Sequence, residues 1–445
     1  MVGEWHQYKV GDLFDLKPGF AFKSSDFTYT GSPVIKIKNV KANAVVLDDL
    51  SYVDEEFLER KRSYIVNYGD ILITMSGNRF GGSRDTWVGK VAQFRSSEPS
   101  LLNQRVAILR PKAGAMLDQH CCSYILGSSE YQNLFIAIAT SSGGQANLSP
   151  GQILGTDVLL PPYEERRAIA HILGMLDDKI ALNRRMNATL EAMARALFKS
   201  WFVGFDPVRA KAERPDPGLP KLLADFFPDS FEDSELGEIP KGWKVGRFGD
   251  AVEQFRDQEH PPSSPDTLFH HCSLPALDDG QTPKLKHGES IRSLKSRASA
   301  GVILLSRLNP EIECVWLVDV RPDERAVCST EFLVLRTWPP VARNYVYCRA
   351  CLPSFRQQIE SLVTGPSKRY QRAQVGSIFD IEATIPPSSL IAAFERSAAS
   401  RLERTFVCRH EARILVALRD TLLPKLISGE PCMRVDNLTR ATRYR

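Results

Sequence analysis

The chain has 445 residues, of which 43% are hydrophobic and 25% charged, and its formal net charge is +4. This length predicts two to four domains, each large enough to bury its own core. No stretch approaches eighteen apolar residues and the first twenty residues lack the apolar core of a signal peptide, so we expect a cytoplasmic protein without a membrane span. Nine cysteines, an odd number, indicate reduced thiols rather than a disulfide framework.

The charges are balanced along most of the chain. Residues 1–162 carry 16 basic and 16 acidic side chains, residues 243–387 carry 18 and 17, and residues 206–242 carry 5 and 9. No region large enough to be a domain is strongly basic. Any nucleic-acid binding must therefore come from local patches.

Residues 1–162 have the pattern of a mixed domain of strands and helix. Apolar or alternating runs bounded by turn residues predict strands at Val34–Val40, Asp70–Met75, Trp87–Phe94 and Gln104–Leu109. A helix is expected within Asp118–Thr140, before a flexible polar loop at Ser141–Gln145.

This region ends in the sequence Leu160-Pro161-Pro162-Tyr163. In enzymes that methylate amino groups of DNA bases, Pro-Pro-Tyr follows an Asn or Asp that accepts a hydrogen bond from the target amine, and the Tyr stacks on the flipped base. Leu160 cannot accept that bond, and no glycine-rich loop for S-adenosylmethionine (AdoMet) precedes the motif. We therefore interpret the prolines as the end of a strand and the start of a helix.

Residues 163–205 form the next predicted element, a helix of about 38 residues or about 57 Å, which favours a coiled coil. Its predicted pairing residues are Ile169, Leu173, Leu176, Ile180, Leu190 and Leu197. Asn183 and Asn187 fall on the same face, where a buried Asn would fix the register. An ordinary amphipathic helix inside a domain remains the alternative. Phe198, Trp201 and Phe202 give the helix end more aromatic surface than a lone terminus needs, so we expect them to bind a partner helix or subunit.

Residues 206–242 are rich in proline and acidic residues, which predicts an exposed connector with some packing at Leu222, Leu223, Phe226 and Phe227. The region at 243–387 follows the order of the first, with strands near Val302–Ser306, Cys314–Val318 and Glu331–Leu335, a helix from about Tyr345 to Val363, and a polar loop at Gly365–Gln371. A second long helix is predicted at 388–430, with pairing residues Phe394, Leu402, Phe406, Leu418 and Leu422, before a basic tail at 431–445.

The two halves of the chain repeat with a period of about 225 residues. Alignment of residue n with n + 225 matches Gly151 with Gly376, Ile153 with Ile378, Pro161-Pro162 with Pro386-Pro387, and Leu190 with Leu415. We therefore predict an α+β fold: two mixed α/β domains separated by two long antiparallel coiled-coil helices, with an internal pseudo-two-fold repeat.

The segment from Leu159 to Val208 also resembles a known family. Its LPPxxExxxIAxxLxxLDxxI start and LEAMARALFKSWFVGFDPV end are similar to the central conserved region of specificity subunits of type I restriction-modification systems (HsdS). The connector RAKAERPDPGLPKLLADFFPDSFEDSELGEIPKGW and the terminal LRDTLLPKLISGE look like that family too.

The resemblance implies a DNA specificity subunit with target recognition domains at 1–162 and 243–387, which read a bipartite, asymmetric site in double-stranded DNA at a fixed spacing. The helices at 163–205 and 388–430 would act as a ruler. Two methyltransferase subunits and restriction subunits would dock on the frame. The chain itself would be non-catalytic and bind no cofactor, because AdoMet would be held by the methyltransferase.

Other motifs are interpreted as structural. Cys348 and Cys351 have CxxC spacing without a second ligand pair, and His270-His271-Cys272 is assigned to a loop, so no metal site is predicted. Glu59 and Lys61 form an ExK motif, but in a charged, helix-like stretch, so no catalytic residue is predicted either.

Sequence readout needs side chains that reach base edges, held on loops at strand ends. The DNA-binding candidates are Asn78, Arg79, Arg84, Gln104, Arg105 and Gln145 in the first domain, and Arg292, Lys295, Arg297, Lys368, Arg369, Tyr370, Gln371 and Arg372 in the second. Two alternatives remain open: a coiled-coil protein scaffold without DNA readout, and a self-sufficient methyltransferase.

Overall fold

The computed structural model describes residues 4–47, 49–79, 86–142, 144–213, 220–278, 280–308, 313–337, 343–363 and 372–427. They form two compact units. Unit 1 contains the described residues up to Ile180 together with those from Arg413 onward, and unit 2 contains the described residues of Ala181–Ala412. Among all of these residues, no helix combines the length and the apolar content needed to cross a membrane.

Unit 1 is built mainly from short strands. They are β1 (His6–Lys9), β2 (Phe14–Pro18), β3 (Phe27–Thr28), β4 (Ser32–Ile35), β5 (Val40–Lys41), β6 (Ala44–Val45), β7 (Ser51–Val53), β8 (Ile65–Val66), β9 (Ile71–Thr74), β10 (Ser76–Gly77), β11 (Val91–Gln93), β12 (Ser100–Leu102), β13 (Val106–Pro111), β14 (Thr140–Ser142), β15 (Gln145–Asn147) and β16 (Asp157–Leu160). Its helices are α1 (Val10–Leu13), α2 (Glu56–Arg60), α3 (Gln119–Leu126), α4 (Ser129–Ile138), α5 (Pro150–Leu154) and the first part of α6 (Tyr163–Phe202).

The core of unit 1 lies on both faces of a four-stranded antiparallel sheet with the order β11-β9-β13-β2. On β9, Ile71 and Ile73 pack with α3 and α4, while Leu72 packs with Ile35 and Val66. A strand buried on both faces needs a continuous apolar run, which is why this segment lacks polar alternation. A five-stranded sheet, β3-β7-β4-β12-β8, contains the parallel pair β4–β12, and β1 pairs antiparallel with β16.

Unit 2 contains the remaining elements. Its strands are β17 (Phe231–Ser234), β18 (Gly237–Pro240), β19 (Lys244–Arg247), β20 (Val252–Gln254), β21 (Gln258–Glu259), β22 (Leu268–Cys272), β23 (Lys284–His287), β24 (Lys295–Arg297), β25 (Ile303–Ser306), β26 (Val315–Leu317), β27 (Ala326–Cys328), β28 (Phe332–Thr337) and β29 (Glu382–Ile385). Its helices are the rest of α6, α7 (Asp206–Glu213), α8 (Lys221–Ala224), α9 (Leu274–Asp278), α10 (Arg343–Ala350), α11 (Pro353–Ser361), α12 (Val375–Phe379) and most of α13 (Ser388–Ile427).

The strand order of unit 1 recurs in unit 2. The four-stranded sheet β26-β25-β28-β20 matches β11-β9-β13-β2 strand for strand in chain order, and β19 pairs with β29 as β1 pairs with β16. The five-stranded sheet β23-β22-β27-β24-β21 again has a central parallel pair, β22–β27. The two five-stranded sheets differ in the end to which the additional edge strand, β3 or β21, is attached.

Each predicted single helix before the Pro-Pro pairs is in fact two helices. Residues Asp118–Thr140 divide into α3 and α4, because Gly127 ends the first helix and the Ser128 hydroxyl caps the second by accepting a hydrogen bond from Tyr131 N. In unit 2 the break falls before Pro353, which lacks the N–H needed to continue α10 and begins α11.

Two shorter predictions are also corrected. The strand expected at Val34–Val40 ends at Ile35 and is followed by a 3₁₀ turn at Ile37–Asn39, in which the Asn39 side chain accepts a hydrogen bond from Lys36 N at 2.9 Å. The triplet His270-His271-Cys272 lies in strand β22 rather than in a loop.

The long helices α6 and α13 are 40 residues each. In unit 2 they run antiparallel, since Asn183 contacts Glu411 at 3.1 Å whereas Met186, three residues further along α6, contacts Cys408, three residues earlier on α13, at 3.7 Å. Asn183 is fully buried and donates to Glu411 Oε2 at 3.1 Å, so the predicted amide on the pairing face lies between the two helices. In unit 1, Asp177 Oδ1 accepts a hydrogen bond from Arg419 Nη1 at 2.9 Å.

The predicted pairing residues differ in burial. Ile169, Leu173, Ile180, Phe394 and Leu402 are buried, and Leu176, Leu190, Leu197, Phe406 and Leu422 are half-buried. Leu418 is a correction, because its side chain is 44% exposed and Leu423, at 8%, occupies the buried face instead. The predicted phase is wrong near the end of α13, where the charged Arg419 takes a seam position.

The aromatic end of α6 packs against the partner helix α13, which was one of the two predicted alternatives, and not against another subunit. Phe198, Trp201 and Phe202 are 0%, 3% and 5% exposed and belong to the core of unit 2, so they present no surface to another subunit. Their ring partners, at centroid distances of 5.0–6.1 Å, include Tyr345 and Phe394. The segment predicted as a connector also packs down in part, since Val208, Phe227 and Ile239 are buried in the same core.

Candidate nucleic-acid interface

Five predicted DNA-binding residues of unit 1 lie at one end of its four-stranded sheet. The end of β9 pairs with the start of β13 through Thr74 and Val106, so the segments that follow β9 and precede β13 are neighbours. Met75 N donates to the Arg105 carbonyl at 2.8 Å, and Gly77 pairs with Ala146. The residues brought to this end are Asn78, Arg79, Gln104, Arg105 and Gln145.

Two of these side chains are partly engaged within unit 1. Asn78 Nδ2 donates to Thr86 Oγ1 at 3.1 Å, and Arg79 Nη2 donates to the Ala139 carbonyl at 2.7 Å. Gln104, Arg105 and Gln145 are exposed. Gln145 begins strand β15 rather than lying in a loop, and Arg84 lies outside the described residues.

A second group of cations in unit 1 was not predicted. On the five-stranded sheet, Val34, Val53 and Leu101 form a small apolar cluster with surrounding aromatic rings. Lysine ammonium groups lie over those rings and the adjoining Phe20: Lys36 is 3.6 Å from the Phe27 centroid, Lys61 is 4.2 Å from that of Phe20 and Lys17 is 4.4 Å from that of Tyr64.

This lysine–aromatic group adjoins the turn at Gln104–Arg105, because Phe20 N donates to the Leu102 carbonyl at 2.8 Å. Burial, together with the charge of Lys38, lowers the pKa of Lys36. The alternation of cations with aromatics in Lys17-Pro18-Gly19-Phe20-Ala21-Phe22-Lys23 is the sequence signal that could have identified the group.

In unit 2 the corresponding surface is one face of the five-stranded sheet. Register places Lys284 opposite His271, His271 opposite Val327, and Val327 opposite Arg297, so these four residues share a face. Phe269, Ile291 and Val327 form a small apolar cluster there. Its cations are the predicted Arg292, Lys295 and Arg297 together with Lys284 and Lys286, which the sequence analysis missed.

The electrostatics of this face are uneven. Burial and the charges of Lys286 and Lys295 lower the pKa of His271 to about 4, so its imidazole is neutral at pH 7. Arg297, in contrast, donates to two carboxylates, at 3.0 Å to Glu259 and at 3.2 Å to Asp257. On this face the charge of Arg297 is thus balanced by two carboxylates, whereas the charges of Lys286 and Lys295 act on His271.

The predicted stretch Lys368-Arg369-Tyr370-Gln371-Arg372 is described only at its last residue. Arg372 donates to Glu331 Oε1 at 2.6 Å and forms a β-bridge with Leu308, two residues beyond β25. This is the end of the unit 2 sheet that matches the polar end of the unit 1 sheet. The other four residues lie outside the described part of the chain.

Neither cysteine motif has the geometry of a metal site. Among the described residues no group of three His, Cys, Asp or Glu side chains is arranged to hold an ion. Cys348 and Cys351 are buried in the core of unit 2, and burial raises the pKa of the Cys348 thiol to about 12. Both therefore act as small apolar side chains.

Comparison with known proteins finds similarity to one family. Residues 3–192 match the family model described as the type I restriction modification DNA specificity domain. The chain is 24% identical to the type I restriction enzyme HindI specificity subunit of Haemophilus influenzae, over 96% of this chain and all of that protein. It is 23% identical to the MjaIX specificity subunit of Methanocaldococcus jannaschii, over 79% of this chain and 76% of that protein.

A solved structure has the same fold. The type I restriction-modification S subunit from M. genitalium superposes with a TM-score of 0.54 at 13% identity and covers 97% of both chains. Over nearly its whole length the chain is thus similar to specificity subunits of type I restriction-modification systems, the HsdS family, and residues 3–192 match the DNA specificity domain of that family.

Proposed function

We propose that the chain is the DNA sequence-specificity subunit of a type I restriction-modification complex. Its two target recognition domains read the two halves of a bipartite, asymmetric site in double-stranded DNA, and the paired helices α6 and α13 fix the spacing. The chain also scaffolds two methyltransferase subunits and the restriction subunits. AdoMet binds to the methyltransferase and not to this chain.

The observation that carries this proposal is the duplicated recognition framework. One strand order occurs in both units, and the matching ends of the two sheets carry polar side chains, Gln104 and Arg105 in unit 1 and Arg372 in unit 2. A common frame that presents different side chains suits two readers of different half-sites. A scaffold without DNA readout gives no reason for such polar sheet ends.

Docking of two like subunits is supported by apolar residues left exposed on the long helices. Leu182 and Met193 of α6 are 45% and 47% exposed, and their counterparts in the repeat, Val407 and Leu418 of α13, are 52% and 44% exposed. In each helix the two positions are eleven residues apart, about three turns, so they share one face. Equivalent apolar faces on both helices suit two copies of one partner.

The residues at the Pro-Pro-Tyr motif support a non-catalytic role. Leu160 is 1% exposed in the core of unit 1 and pairs with His6 across the β1–β16 ladder. Its side chain therefore cannot meet an extruded base, and the motif completes a strand before α6 begins at Tyr163. Methyl transfer in the complex would depend on the partner subunit.

The test is to express the chain with its methyltransferase subunit and map the methylated sites. We expect one motif with two unlike halves and a constant unspecified spacer, and duplex binding that weakens steeply with salt. A complex that assembles but neither shifts DNA nor confers a motif would favour the protein-scaffold function instead. Binding of AdoMet by the isolated chain would contradict the assignment of that cofactor to the partner.

A further inference from the structure

A cluster in unit 2 joins two arginines to one buried carboxylate. Glu259, at the end of β21, is 8% exposed. Its Oε2 accepts a hydrogen bond from Arg297 Nε at 3.0 Å, and its Oε1 accepts one from Arg325. Arg297 Nη1 also donates to Asp257 Oδ2 at 3.2 Å. The Arg325 guanidinium lies over the Phe269 ring, 4.8 Å from its centroid.

Both guanidinium groups are held in place but still reach solvent. The side chains of Arg297 and Arg325 are 49% and 44% exposed. A guanidinium has five N–H groups, and these contacts use two on Arg297 and one on Arg325. Each arginine therefore keeps donors for another molecule, in a planar fork whose rotation is already restricted by Glu259 or by the Phe269 ring.

The charge balance of the cluster indicates which acceptor these donors fit. Two arginines face two carboxylates, so an approaching phosphate is repelled by Glu259 and Asp257 nearly as strongly as it is attracted. A neutral acceptor is not subject to that repulsion. The neutral partner that matches a fixed arginine fork in the major groove of DNA is the O6 and N7 pair of guanine.

Phosphate contacts are better served by other cations of the same unit. Lys286 and Arg292 are exposed, and within the described part of the chain neither forms an ion pair with a carboxylate. Uncompensated cations of this kind contribute to affinity through phosphate neutralisation rather than to sequence choice. The unit thus separates arginines that are held by carboxylates from exposed cations that are not.

We infer that Glu259 positions Arg297 and Arg325 to donate to the O6 and N7 atoms of guanine in the half-site read by unit 2, an inference that rests on the proposed function. Glu259 is a positioning residue, since its own carboxylate is buried. The two arginines are the specificity-determining groups. Lys286 and Arg292 provide phosphate contacts.

The test uses the full chain in complex with its methyltransferase subunit, and a pool of duplexes in which both half-sites are randomised. Arg325→Lys and Arg297→Lys keep the charge but remove the planar fork. We expect either change to reduce the preference for guanine at one position by about tenfold or more, while affinity for random-sequence DNA is nearly retained. Selection of the other half-site by unit 1 serves as the internal control for folding.

Two further variants separate positioning from simple structural support. Glu259→Gln removes one negative charge and loosens both arginines, so we expect weaker guanine preference together with tighter, more salt-dependent binding to random DNA. Lys286→Ala should instead lower the salt slope by about one and leave the base preference intact. The matched control is Arg247→Lys. Arg247 lies on β19, in another sheet, and forms an exposed ion pair with Asp380, so this change should alter neither the base preference nor the salt slope.

Several results would overturn the inference. Both lysine variants could keep the wild-type guanine preference, or Arg325→Ala could weaken binding equally on all sequences and lower the salt slope by about one, which would mean a phosphate contact. A wild-type half-site without guanine would also refute it while the proposed function stands. A wild-type complex that selects no sequence would refute the proposed function, and the inference with it.

Discussion

At the scale of single residues, the two units share one kind of contact, in which an acidic side chain of α6 interacts with an arginine of α13 and with a tyrosine hydroxyl. Asp177 accepts hydrogen bonds from Arg419 of α13 and from the hydroxyl of Tyr124 on α3. Glu191 contacts Arg409 of α13 and the hydroxyl of Tyr347 on α10. In each unit, one acidic residue of α6 thus contacts both α13 and a shorter helix, which is α3 in unit 1 and α10 in unit 2.

The first prediction concerns Asp177, whose side chain is 12% exposed. Asp177→Ala should lower the free energy of unfolding by about 2–3 kcal/mol, because it removes the hydrogen bonds from Tyr124 and from the largely buried Arg419, which then pairs only with the exposed Asp420. The neighbouring Asp178, 75% exposed, pairs with Arg95 at 3.3 Å, so Asp178→Ala is the matched control and should cost less than about 1 kcal/mol. Thermal unfolding of the wild type and the two variants would measure this difference, and an equal decrease in unfolding temperature for both variants would contradict the prediction.

The second prediction concerns Glu395 on α13, which accepts a backbone hydrogen bond from Asn344 at the start of α10 at 3.4 Å. Burial raises the pKa of Glu395 to about 7, against the opposing effects of that bond and of Arg343. The folded state therefore binds this proton more tightly than the unfolded state. The resulting stabilisation is complete below about pH 4.5 and is lost as the pH rises through about 7.

Glu395→Gln should consequently flatten the dependence of unfolding temperature on pH between about 4.5 and 7. Above pH 7 the variant should be more stable than the wild type by about 1 kcal/mol, a value that allows for solvent screening of a partly exposed group. The control is Glu360→Gln, at an exposed position of α11. Parallel pH profiles for wild type and Glu395→Gln would count against the prediction.

At the scale of elements, apolar spacing predicts the two long helices. It does not predict, along their whole length, which residues face the other helix. Leu173 and Leu402 are buried as the three-and-four spacing predicts. Asn183 is likewise buried on the predicted face, but the pattern fails at Arg419, because a rule that follows apolar residues shifts to the next leucine. For that reason Leu418 was assigned to the seam in place of Leu423.

The third prediction follows from this difference in phase. Leu423→Ala should destabilise unit 1 by about 2–3 kcal/mol, since it removes a side chain that is 8% exposed in the apolar core. Leu418→Ala should cost less than about 0.5 kcal/mol but weaken binding of the methyltransferase subunit in a pulldown. If Leu418→Ala were instead the more destabilising change, Leu418 and not Leu423 would be the buried residue, as the sequence predicts.

The candidate site was predictable where its residues are close in sequence and not where strand pairing assembles it. Polar residues at the ends of apolar runs mark the loops around Arg79 and Arg105, because loops at sheet ends carry exposed polar groups. Glu259 meets Arg297 and Arg325 across 38 and 66 residues of chain. Without the register of the five-stranded sheet, no local pattern relates these three side chains.

At the scale of the whole molecule, the repeat is conspicuous in sequence only around the Pro-Pro pairs and the long helices. The sheets repeat their strand order with different residues, since a strand buried on both faces requires only apolar side chains of suitable volume. Residues that pair the two long helices have to fit the opposite helix as well. Loops and outer sheet faces are then free to differ, which the reading of two unlike half-sites requires.

The last prediction tests whether helix length sets the spacer of the recognised site. An insertion that preserves pairing must enter both helices at facing positions, and the contacts Asn183–Glu411 and Met186–Cys408 identify them: between Asn183 and Met186 on α6 and between Cys408 and Glu411 on α13. An eleven-residue repeat keeps the phase of a nearly straight helix. Two such repeats add about 33 Å, close to one turn of DNA.

The variant with 22 added residues in each helix should therefore select the same two half-sites with a spacer about ten base pairs longer. A variant with 11 added residues lengthens the pair by about 16 Å, or half a turn of DNA, so its second reader would face the wrong side of the duplex and selection should be lost. Methylated-site mapping of both variants distinguishes the outcomes. Retention of the original spacer by the longer variant would show that something other than the helix pair sets the distance.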